Sequence, residues 1–474
     1  MLKMKNVSIK SEKKSTKWYV NPIFVALLCI ILLVLPLILR NFLSFGEDFY
    51  LYKRVSSIKS NFDELSYSGR DFLYNKGNVF VSSIFDNYLL SIILGVLSLI
   101  IFYNILMKLG VEKEIRIISS FFLVISQSFL YLFSTFREFT VPVFLMLIGF
   151  YFFINRRFYW ISYLIFLLIP FFGILPTIIL LIILFIYSIK FNRIKSFLLI
   201  FLLILIIYLY IYVPILKYYG LPQDIDLNKN NFRQVISDFG ADYGISMFLL
   251  ILSFIGILKL WEEKYKNVIL YITFIVFVIL LFFSLSVMFY FNFLIVFFAA
   301  LGINKIIKRK WDSELVKKLT ILFFIFGLIF SCFTFINSEL NEAPSKELVG
   351  SLEFIDRNTN KDTVILSHYS YGVFINSIAN RKNVMDDNFY YVQDLDERYQ
   401  DINFLFYTRD LDNALEIFKK YNITYILIND EMRNGLVWTK SNEGLLYLLD
   451  NNPRIFDKAY NNAKMEIWEI KELE

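Results

Sequence analysis

The feature that most limits the fold of this chain is a series of eleven apolar segments, each close to the length that crosses a lipid bilayer. In a chain of 474 residues, 57% are hydrophobic and 19% aromatic, and the mean hydropathy is +0.56. This composition excludes a cytosolic enzyme and a disordered chain, because both need far less apolar bulk. The segments run over 22–42, 87–107, 117–133, 139–154, 158–170, 174–189, 196–215, 244–260, 268–286, 288–303 and 319–336.

One pair of segments allows two interpretations. Pro170 and Pro176 flank the short stretch that joins 158–170 to 174–189. Proline ends or kinks a helix, so this region is either two short helices or one re-entrant hairpin.

The distribution of Lys and Arg predicts the orientation of the chain. The N-terminal tail and every second loop after it hold 23 Lys and Arg residues, whereas the intervening loops hold 10. Because basic residues accumulate on the cytoplasmic side of a membrane, we expect residues 1–21 to form a cytoplasmic basic tail. The expected location of the protein is the cell membrane. A transmembrane domain then follows over 22–336, with outer loops 44–86 and 216–243, and residues 337–474 lie outside the cytoplasm.

The C-terminal part has the pattern of an α/β domain. Helical spacing over 345–357 precedes an apolar strand at 363–367, and a second helix over 410–421 leads into a strand at 424–428. A terminal hairpin over 454–469 closes the predicted sheet. The predicted fold class is therefore a polytopic helical membrane domain followed by an extracytoplasmic α/β domain.

Several classes of function are excluded or disfavoured. The sequence contains no phosphate-binding glycine loop, and the predicted cytoplasmic loops are too short for a nucleotide-binding domain. The basic excess follows membrane topology, so no nucleic-acid partner is expected. Ionisable residues are nearly absent from the apolar segments, which disfavours a secondary transporter. Cys29 and Cys332 lie within apolar runs and predict neither a disulfide nor a cysteine metal site. What remains is chemistry at the outer membrane surface. An activated group must arrive there attached to a lipid, because no soluble energy donor is expected on that side.

The first outer loop carries a motif that resembles a known family. Asp48, Tyr50 and Arg54 follow the first segment in the run Ser44 to Arg54. Their order is similar to that in the catalytic subunit of archaeal and bacterial oligosaccharyltransferases, which have the GT-C glycosyltransferase fold. There the pattern is Asp-Pro-aromatic-aromatic-x-x-Arg, and Phe49 stands here in place of the proline.

Three later matches occur in the order found in that family. Glu138 lies in the short loop that corresponds to the second acidic site, and Asp238 ends Val-Ile-Ser-Asp, which resembles the Ser-Val-Ser-Glu type of loop. The run from His368 to Gly372 with Tyr371, followed by Arg381, occupies the place of Trp-Trp-Asp-Tyr-Gly and a downstream Asn-Arg. Ser370 replaces the aspartate that grips the acceptor sequon, so the resemblance favours the wider lipid-linked class over a sequon-reading enzyme.

The resemblance implies a role for each matched residue. Asp48, Glu138 and Asp238 are the expected catalytic residues and the ligands of one Mg²⁺ or Mn²⁺ ion, since hard cations prefer carboxylate oxygens. The remaining matches are expected to bind substrate, with Arg54 near the carrier phosphate and Tyr371 and Arg381 near the acceptor. These are Arg54, Tyr50, Tyr371, Arg381 and His368.

Each candidate also has a purely structural interpretation. The Asp48 and Arg54 side chains could form a solvated pair, Glu138 could favour the start of a helix, and Asp238 could belong to a turn. His368, the single histidine of the chain, could be structural, and Tyr371 and Arg381 could shape the turn after the strand.

The sequence thus predicts a membrane glycosyltransferase that moves a sugar or glycan from a polyprenyl-phosphate donor to an extracytoplasmic protein, glycan or lipid acceptor. Two alternatives stay open: a protein N-glycosylating oligosaccharyltransferase, and a non-catalytic membrane protein such as a lipid-glycan flippase or an inactive binding subunit. Transport predicts polar residues along the spans, whereas an inactive relative predicts that the outer acids do not meet.

Overall fold

A helical membrane part forms the first two thirds of the molecule. The computed structural model describes residues 21–58, 62–71, 75–85, 87–155, 158–190, 192–219, 235–237, 244–389, 392, 394–462 and 464–471. The helices of the membrane part are α1 Pro22–Leu39, α2 Glu47–Val55, α3 Lys76–Ile84, α4 Asn87–Lys108, α5 Lys113–Val124, α6 Gln127–Ser134, α7 Thr140–Ile154, α8 Tyr159–Phe166, α9 Ile174–Lys190, α10 Ile194–Tyr219, α11 Met247–Leu260, α12 Lys264–Leu281, α13 Met288–Lys308 and α14 Glu314–Leu340. Four two-residue strands lie in its loops: β1 Phe62–Asp63, β2 Arg70–Asp71, β3 Ile236–Ser237 and β4 Ile245–Ser246.

Every apolar segment predicted from the sequence contains a helix or a helix pair. Among the described residues, six helices are long and apolar enough to cross a membrane, and the bent pair α5 and α6 raises the number to seven. The four other segments contain shorter apolar helices, α7, α8, α9 and α11. The chain is an integral membrane protein, and the number of times it crosses the bilayer stays a prediction.

One apolar segment, 117–133, is divided into two helices, and the junction between segments 158–170 and 174–189 is a turn. Helices α5 and α6 meet at 61°, where the Asn292 side chain from α13 donates a hydrogen bond to Ser126 Oγ at 2.7 Å. Helices α8 and α9 are separate and are joined through a short turn and Gly173, whose φ of +127° suits glycine.

Helices α11 and α13 touch through their backbones. A Cβ atom on Gly256 would lie 1.9 Å from the Phe298 carbonyl oxygen, and one on Gly302 would lie 2.0 Å from the Leu252 carbonyl oxygen. Small residues allow this approach, which is a common way to pack helices in a membrane.

The C-terminal part is built on a five-stranded mixed sheet. The strand order is β6-β5-β7-β9-β8, in which β5 runs parallel to β6 and β7, and β9 runs antiparallel to β7 and β8. The strands are β5 Val364–Leu366, β6 Lys382–Asn383, β7 Ile423–Asn429, β8 Phe456–Asn461 and β9 Met465–Ile470. The helices are α15 Lys346–Asn358, α16 Gly372–Phe374, α17 Leu395–Tyr407, α18 Leu411–Lys420 and α19 Leu445–Asn451.

Helix α2 lies between the membrane part and the C-terminal part. Phe49 and Tyr52 pack into the apolar core of the membrane helices, whereas Leu51 and Val55 pack against Val373 of the C-terminal part. An amphipathic nine-residue helix in this position can present side chains to both parts at once.

Arg40, which follows α1, binds the C-terminal end of α14 and the residues after it. Its guanidinium donates hydrogen bonds to the carbonyl oxygens of Glu339, Leu340, Glu342 and Pro344, at 3.2, 2.8, 2.6 and 2.7 Å. These contacts join the end of the first apolar helix to the segment that enters the C-terminal part.

Candidate active site

The carboxylate of Asp48 and the loop that contains Glu138 meet beside the start of α2. The backbone N–H of Glu138 donates to Asp48 Oδ2 at 3.0 Å. Asp48 lies in the first turn of α2, and Glu138 lies in the loop between α6 and α7. Two of the three acids predicted from the sequence therefore share one site.

Contacts on either side of Asp48 position this meeting. The Thr135 hydroxyl donates to the Phe45 carbonyl oxygen at 3.0 Å and links the two loops. Gly46 has a φ of +86°, and a Cβ atom there would lie 2.6 Å from Arg137 Nη1. Only glycine fits this backbone conformation and this close approach.

Polar groups around Glu138 hold its side chain away from the start of α7. The Asn75 amide donates to Glu138 Oε1, and the Asn78 amide donates to the Glu138 carbonyl oxygen at 2.9 Å. The first turn of α7 is organised instead by Thr140, whose hydroxyl oxygen accepts from the Arg137 N–H at 2.9 Å. The Glu138 carboxylate therefore does not cap α7.

The electrostatic environment favours the protonated form of both acids. Burial raises the pKa of Asp48, and the nearby Arg137 opposes this increase. Burial and the charge of Asp48 together raise the pKa of Glu138 to about 7. A carboxyl group with such a pKa can accept or release a proton near neutral pH.

Arg137 provides the positive charge at the site. Its Nη2 donates to both carboxylate oxygens of Glu342, at 2.7 and 2.6 Å, and its guanidinium lies 4.1 Å from the centre of the Tyr131 ring. The charges of Glu342 and Asp48 raise the pKa of Arg137 despite its burial. Arg137 therefore stays protonated.

A cavity of about 260 Å³ opens beside these residues. It is lined by Glu47, Asp48, Tyr131, Arg137, Glu342 and Ala343. A space of this size, lined by three carboxyl groups and one guanidinium, can hold a small polar group.

Sequence reasoning missed a second pair of acids. The Glu47 carboxyl group hydrogen-bonds with that of Asp387, which follows β6 in the C-terminal part. Burial and the nearby Asp387 hold the pKa of Glu47 well above its usual range, so the two groups share a proton. Glu47 is adjacent to Asp48 in the sequence, but nothing in the sequence links it to Asp387.

Arg54 and Tyr50 make contacts inside the protein. Arg54 donates to both carboxylate oxygens of Asp63, at 2.7 and 2.6 Å, and both side chains are buried. The Tyr50 hydroxyl donates to the Ser44 carbonyl oxygen at 3.1 Å, and its ring packs edge-on against Phe374. Within the described residues, neither side chain lines the cavity beside Asp48.

The residues predicted to contact the acceptor lie in the C-terminal part. The Tyr371 hydroxyl donates to Glu431 Oε2, and His368 Nδ1 lies 2.7 Å from Ser370 Oγ. Burial lowers the pKa of His368 to about 4, so its ring is neutral. Gly372 is tightly enclosed, because a Cβ atom there would lie 2.4 Å from the Met385 carbonyl oxygen.

Arg381 supports the turn after α15. It donates to the carbonyl oxygens of Asp356 and Thr359, at 2.7 Å each, and to the Thr359 hydroxyl at 2.9 Å. Its side chain is almost fully buried. The hydrogen bonds of Arg381 are thus made to its own domain.

The third predicted acid, Asp238, lies outside the described residues. Within the part of the chain that the structure describes, no group of three or more His, Cys, Asp or Glu side chains could hold a metal ion. The acids of the site include the pairs Asp48 with Glu138 and Glu47 with Asp387, and Glu342 lines the same cavity.

Comparisons with known proteins identify the fold. Neither the protein-family models nor the curated protein sequences give a match to this chain. Solved structures do give matches. The archaeal oligosaccharyltransferase AglB from Archaeoglobus fulgidus, in complex with an inhibitory peptide and a dolichol-phosphate, has a TM-score of 0.61 and 14% identity over 87% of this chain and 69% of that chain.

Two further structures are similar. The Archaeoglobus fulgidus oligosaccharyltransferase in complex with Zn and sulfate has a TM-score of 0.52 and 14% identity over 92% of this chain and 71% of that chain. ArnT from Cupriavidus metallidurans, bound to undecaprenyl phosphate, has a TM-score of 0.54 and 9% identity over 94% of this chain and 97% of that chain. The chain therefore has the GT-C fold, and the resemblance predicted from the sequence is confirmed at the level of the fold.

Proposed function

We propose that this protein is a membrane glycosyltransferase that transfers a sugar or glycan from a polyprenyl-phosphate donor to an acceptor on the extracytoplasmic side. The observation that carries the proposal is the contact between the Asp48 carboxylate and the Glu138 backbone, from two separate loops, beside an open cavity in a GT-C fold. The similar structures with dolichol-phosphate and undecaprenyl phosphate support a lipid-linked donor.

In the proposed reaction, the bond between the sugar anomeric carbon and the carrier phosphate breaks, and the phosphate leaves with the electron pair. An acceptor nitrogen or oxygen forms the new bond to the anomeric carbon and loses its proton to a carboxylate. Asp48 is the proposed base, and Glu138 is the second acid of the site. Proton transfer of this kind typically contributes about 10²–10⁴-fold to the rate.

The donor set of the site suits a hard divalent cation. The Asp48 and Glu138 side chains accept hydrogen bonds through Oδ2 and Oε1, and no hydrogen bond from a described residue engages Asp48 Oδ1 or Glu138 Oε2. Carboxylate oxygens are the preferred ligands of Mg²⁺ and Mn²⁺. We propose that Asp48 and Glu138 hold such an ion, with Asp238 as the third ligand. When bound, the ion supplies positive charge for the departing phosphate.

Positive charge for the phosphate also comes from the protein. Arg54 is the residue that the resemblance assigns to this role, but both ends of its guanidinium bind Asp63. Arg137 lines the cavity and stays charged, so we propose that it faces the phosphate. Tyr50, Tyr371, His368 and Arg381 are proposed to shape the acceptor side, through packing and internal hydrogen bonds.

The contacts of the site bear on the two alternative functions. An inactive relative predicts that the acids lie apart, and the contact between Asp48 and Glu138 therefore favours catalysis. Ser370 stands where oligosaccharyltransferases carry the sequon-binding aspartate, and it bonds His368. This arrangement favours an acceptor other than a sequon peptide.

The test is the variant Asp48→Asn, assayed with a panel of polyprenyl-phosphate-linked radiolabelled sugars and acceptor membranes. Release of polyprenyl phosphate is measured, because this product does not depend on which acceptor is used. We expect Asp48→Asn to lose about 100-fold or more of the activity. The thermal unfolding midpoint reports whether the variant is folded.

Glu64→Gln is the matched control, because Glu64 is an exposed acid of the same outer loop. It should keep wild-type activity. Full activity in Asp48→Asn, or no release of polyprenyl phosphate by the wild-type protein with any donor of the panel, would overturn the proposal.

A further inference from the structure

A second and larger cavity lies where the membrane part meets the C-terminal part. Its volume is about 420 Å³, within the range of small-molecule sites. Leu39 and Leu43 at the end of α1, Leu340 at the end of α14 and Lys346 at the start of α15 all contribute to its wall. The cavity is therefore placed at the ends of two apolar helices.

The apolar side of the cavity continues onto the lipid-facing surface of α1. Ile38 and Leu39 are each about half exposed, and Phe42 is 71% exposed. Helix α1 is one of the helices that are long enough to cross a bilayer. A hydrocarbon chain can lie along this surface while a polar group attached to it enters the cavity.

The polar side of the cavity offers positive charge. Lys346 and Lys464 are both exposed, both line the cavity, and their charges both lower the pKa of Glu347. The N-terminus of α15 is already capped, because the Ser345 hydroxyl oxygen accepts from the Leu348 N–H at 3.1 Å and the acidic Glu347 lies in the first turn. The buried Arg40 side chain lines the cavity, and its Nε has no hydrogen-bond partner among the described residues.

The acids of the cavity differ in what they bind. Glu342 is held by Arg137, and Glu431 accepts the Tyr371 hydroxyl. Asp430 is exposed, and its backbone N–H donates to the Lys464 carbonyl oxygen at 3.0 Å. The cavity wall thus carries two ammonium groups and the Asp430 carboxylate.

We propose that this cavity binds the head group of an aminophospholipid of the membrane, a zwitterion that carries both a phosphate and a primary amine. Lys346 and Lys464 bind the phosphate, and Asp430 binds the amine. The acyl chains lie against Leu39, Leu43 and the exposed surface of α1. The proposal does not rest on the proposed glycosyl transfer, although Glu342 lies in the walls of both cavities.

The test measures lipid binding by the purified full-length protein in detergent. The probes are phosphatidylethanolamine, phosphatidylcholine and inorganic phosphate, and native mass spectrometry gives the dissociation constants. We expect phosphatidylethanolamine to bind most tightly. The double variant Lys346→Gln/Lys464→Gln should weaken it about tenfold or more, because charge-assisted contacts to the phosphate are lost.

Two further variants sharpen the result. Asp430→Asn should remove the preference for phosphatidylethanolamine over phosphatidylcholine. Lys361→Gln/Lys440→Gln removes two exposed lysines of the same domain away from the cavity and should leave binding unchanged.

Three outcomes would overturn the proposal. The first is equal binding by the Lys346/Lys464 and the Lys361/Lys440 double variants. The second is equal binding of the two lipids by the wild-type protein. The third is a rise of the thermal midpoint with inorganic phosphate alone that equals the rise with lipid, because this would identify an anion site that does not read the lipid.

Discussion

At the scale of single residues, the proximity of Asp48 and Glu138 makes the proposed activity sensitive to pH. Glu138 must be ionised to accept a proton or bind a cation, and its pKa is raised to about 7. Release of polyprenyl phosphate should therefore increase as the pH rises toward about 7, and a higher cation concentration should move this increase to lower pH, because the cation binds the ionised carboxylate. The Asn75 amide lowers this pKa by its hydrogen bond, so Asn75→Ala should shift the pH profile to higher pH.

The stability of the protein should change in the opposite direction. The pKa of Glu138 in the folded protein lies above its ordinary value of 4.5, so the folded state binds more protons than the unfolded state between these two values. The contribution of Glu138 to stability is present at low pH and is lost as the pH rises to about 7.

The control for the Asn75→Ala variant is Asn358→Ala, because Asn358 is an exposed asparagine of α15. If Asn75→Ala has the same pH profile of activity as the wild type, the assignment of the pH dependence to Glu138 is contradicted.

Part of the site could be predicted from the sequence. Asp48 and Glu138 each stand next to an apolar segment, in an order that resembles a known family, and the structure brings them together. The partners of Arg54, Arg137 and Glu47 could not be predicted. Such pairs depend on how loops that are distant in the sequence pack against one another, and the pattern of apolar and polar residues does not predict this packing.

At the scale of helices and strands, the close contact of α11 and α13 predicts a large effect from one methyl group. Gly256→Ala would place a Cβ atom 1.9 Å from a carbonyl oxygen of α13, so the two helices must separate. We expect a loss of about 1–3 kcal/mol in the free energy of unfolding. Thermal unfolding in detergent measures it.

The matched control is Gly350→Ala in α15, where a Cβ atom meets nothing within 4 Å. Alanine is the better helix former, so this variant should be about 0.5–1 kcal/mol more stable. Equal destabilisation by the two substitutions would show that backbone contact between α11 and α13 is not what Gly256 provides.

Helix positions were the most predictable part of the fold. Runs of apolar residues locate helices, and the alternation of apolar and turn residues after position 344 locates strands that the structure also has, such as β5 and β7. The bend between α5 and α6 was missed. No Pro or Gly marks it in the sequence, and the polar contact between Ser126 and Asn292 crosses from one helix to a distant one.

At the scale of the whole molecule, Arg40 holds the connection between the membrane part and the C-terminal part. Its guanidinium donates four hydrogen bonds to carbonyl oxygens of residues 339–344, which precede α15. Bonds from a charged donor are worth about 1.5–3 kcal/mol each. Arg40→Gln should therefore loosen this segment and increase the rate of tryptic cleavage after Lys346 by about tenfold or more.

Arg309→Gln is the control, since Arg309 is an exposed arginine at the end of α13. Its pattern of tryptic fragments should match the wild type apart from the lost site at 309. Protection of Lys346 in the Arg40 variant equal to that in the wild type would mean that other contacts hold the connection.

Glu342 belongs to the walls of both cavities, and its carboxylate is bound by Arg137. An anion bound in the cavity beside Asp48 would compete with Glu342 for Arg137, and a cation bound in the cavity beside Lys346 would meet the same carboxylate. The charge balance of Glu342 is therefore open to ligands of both cavities.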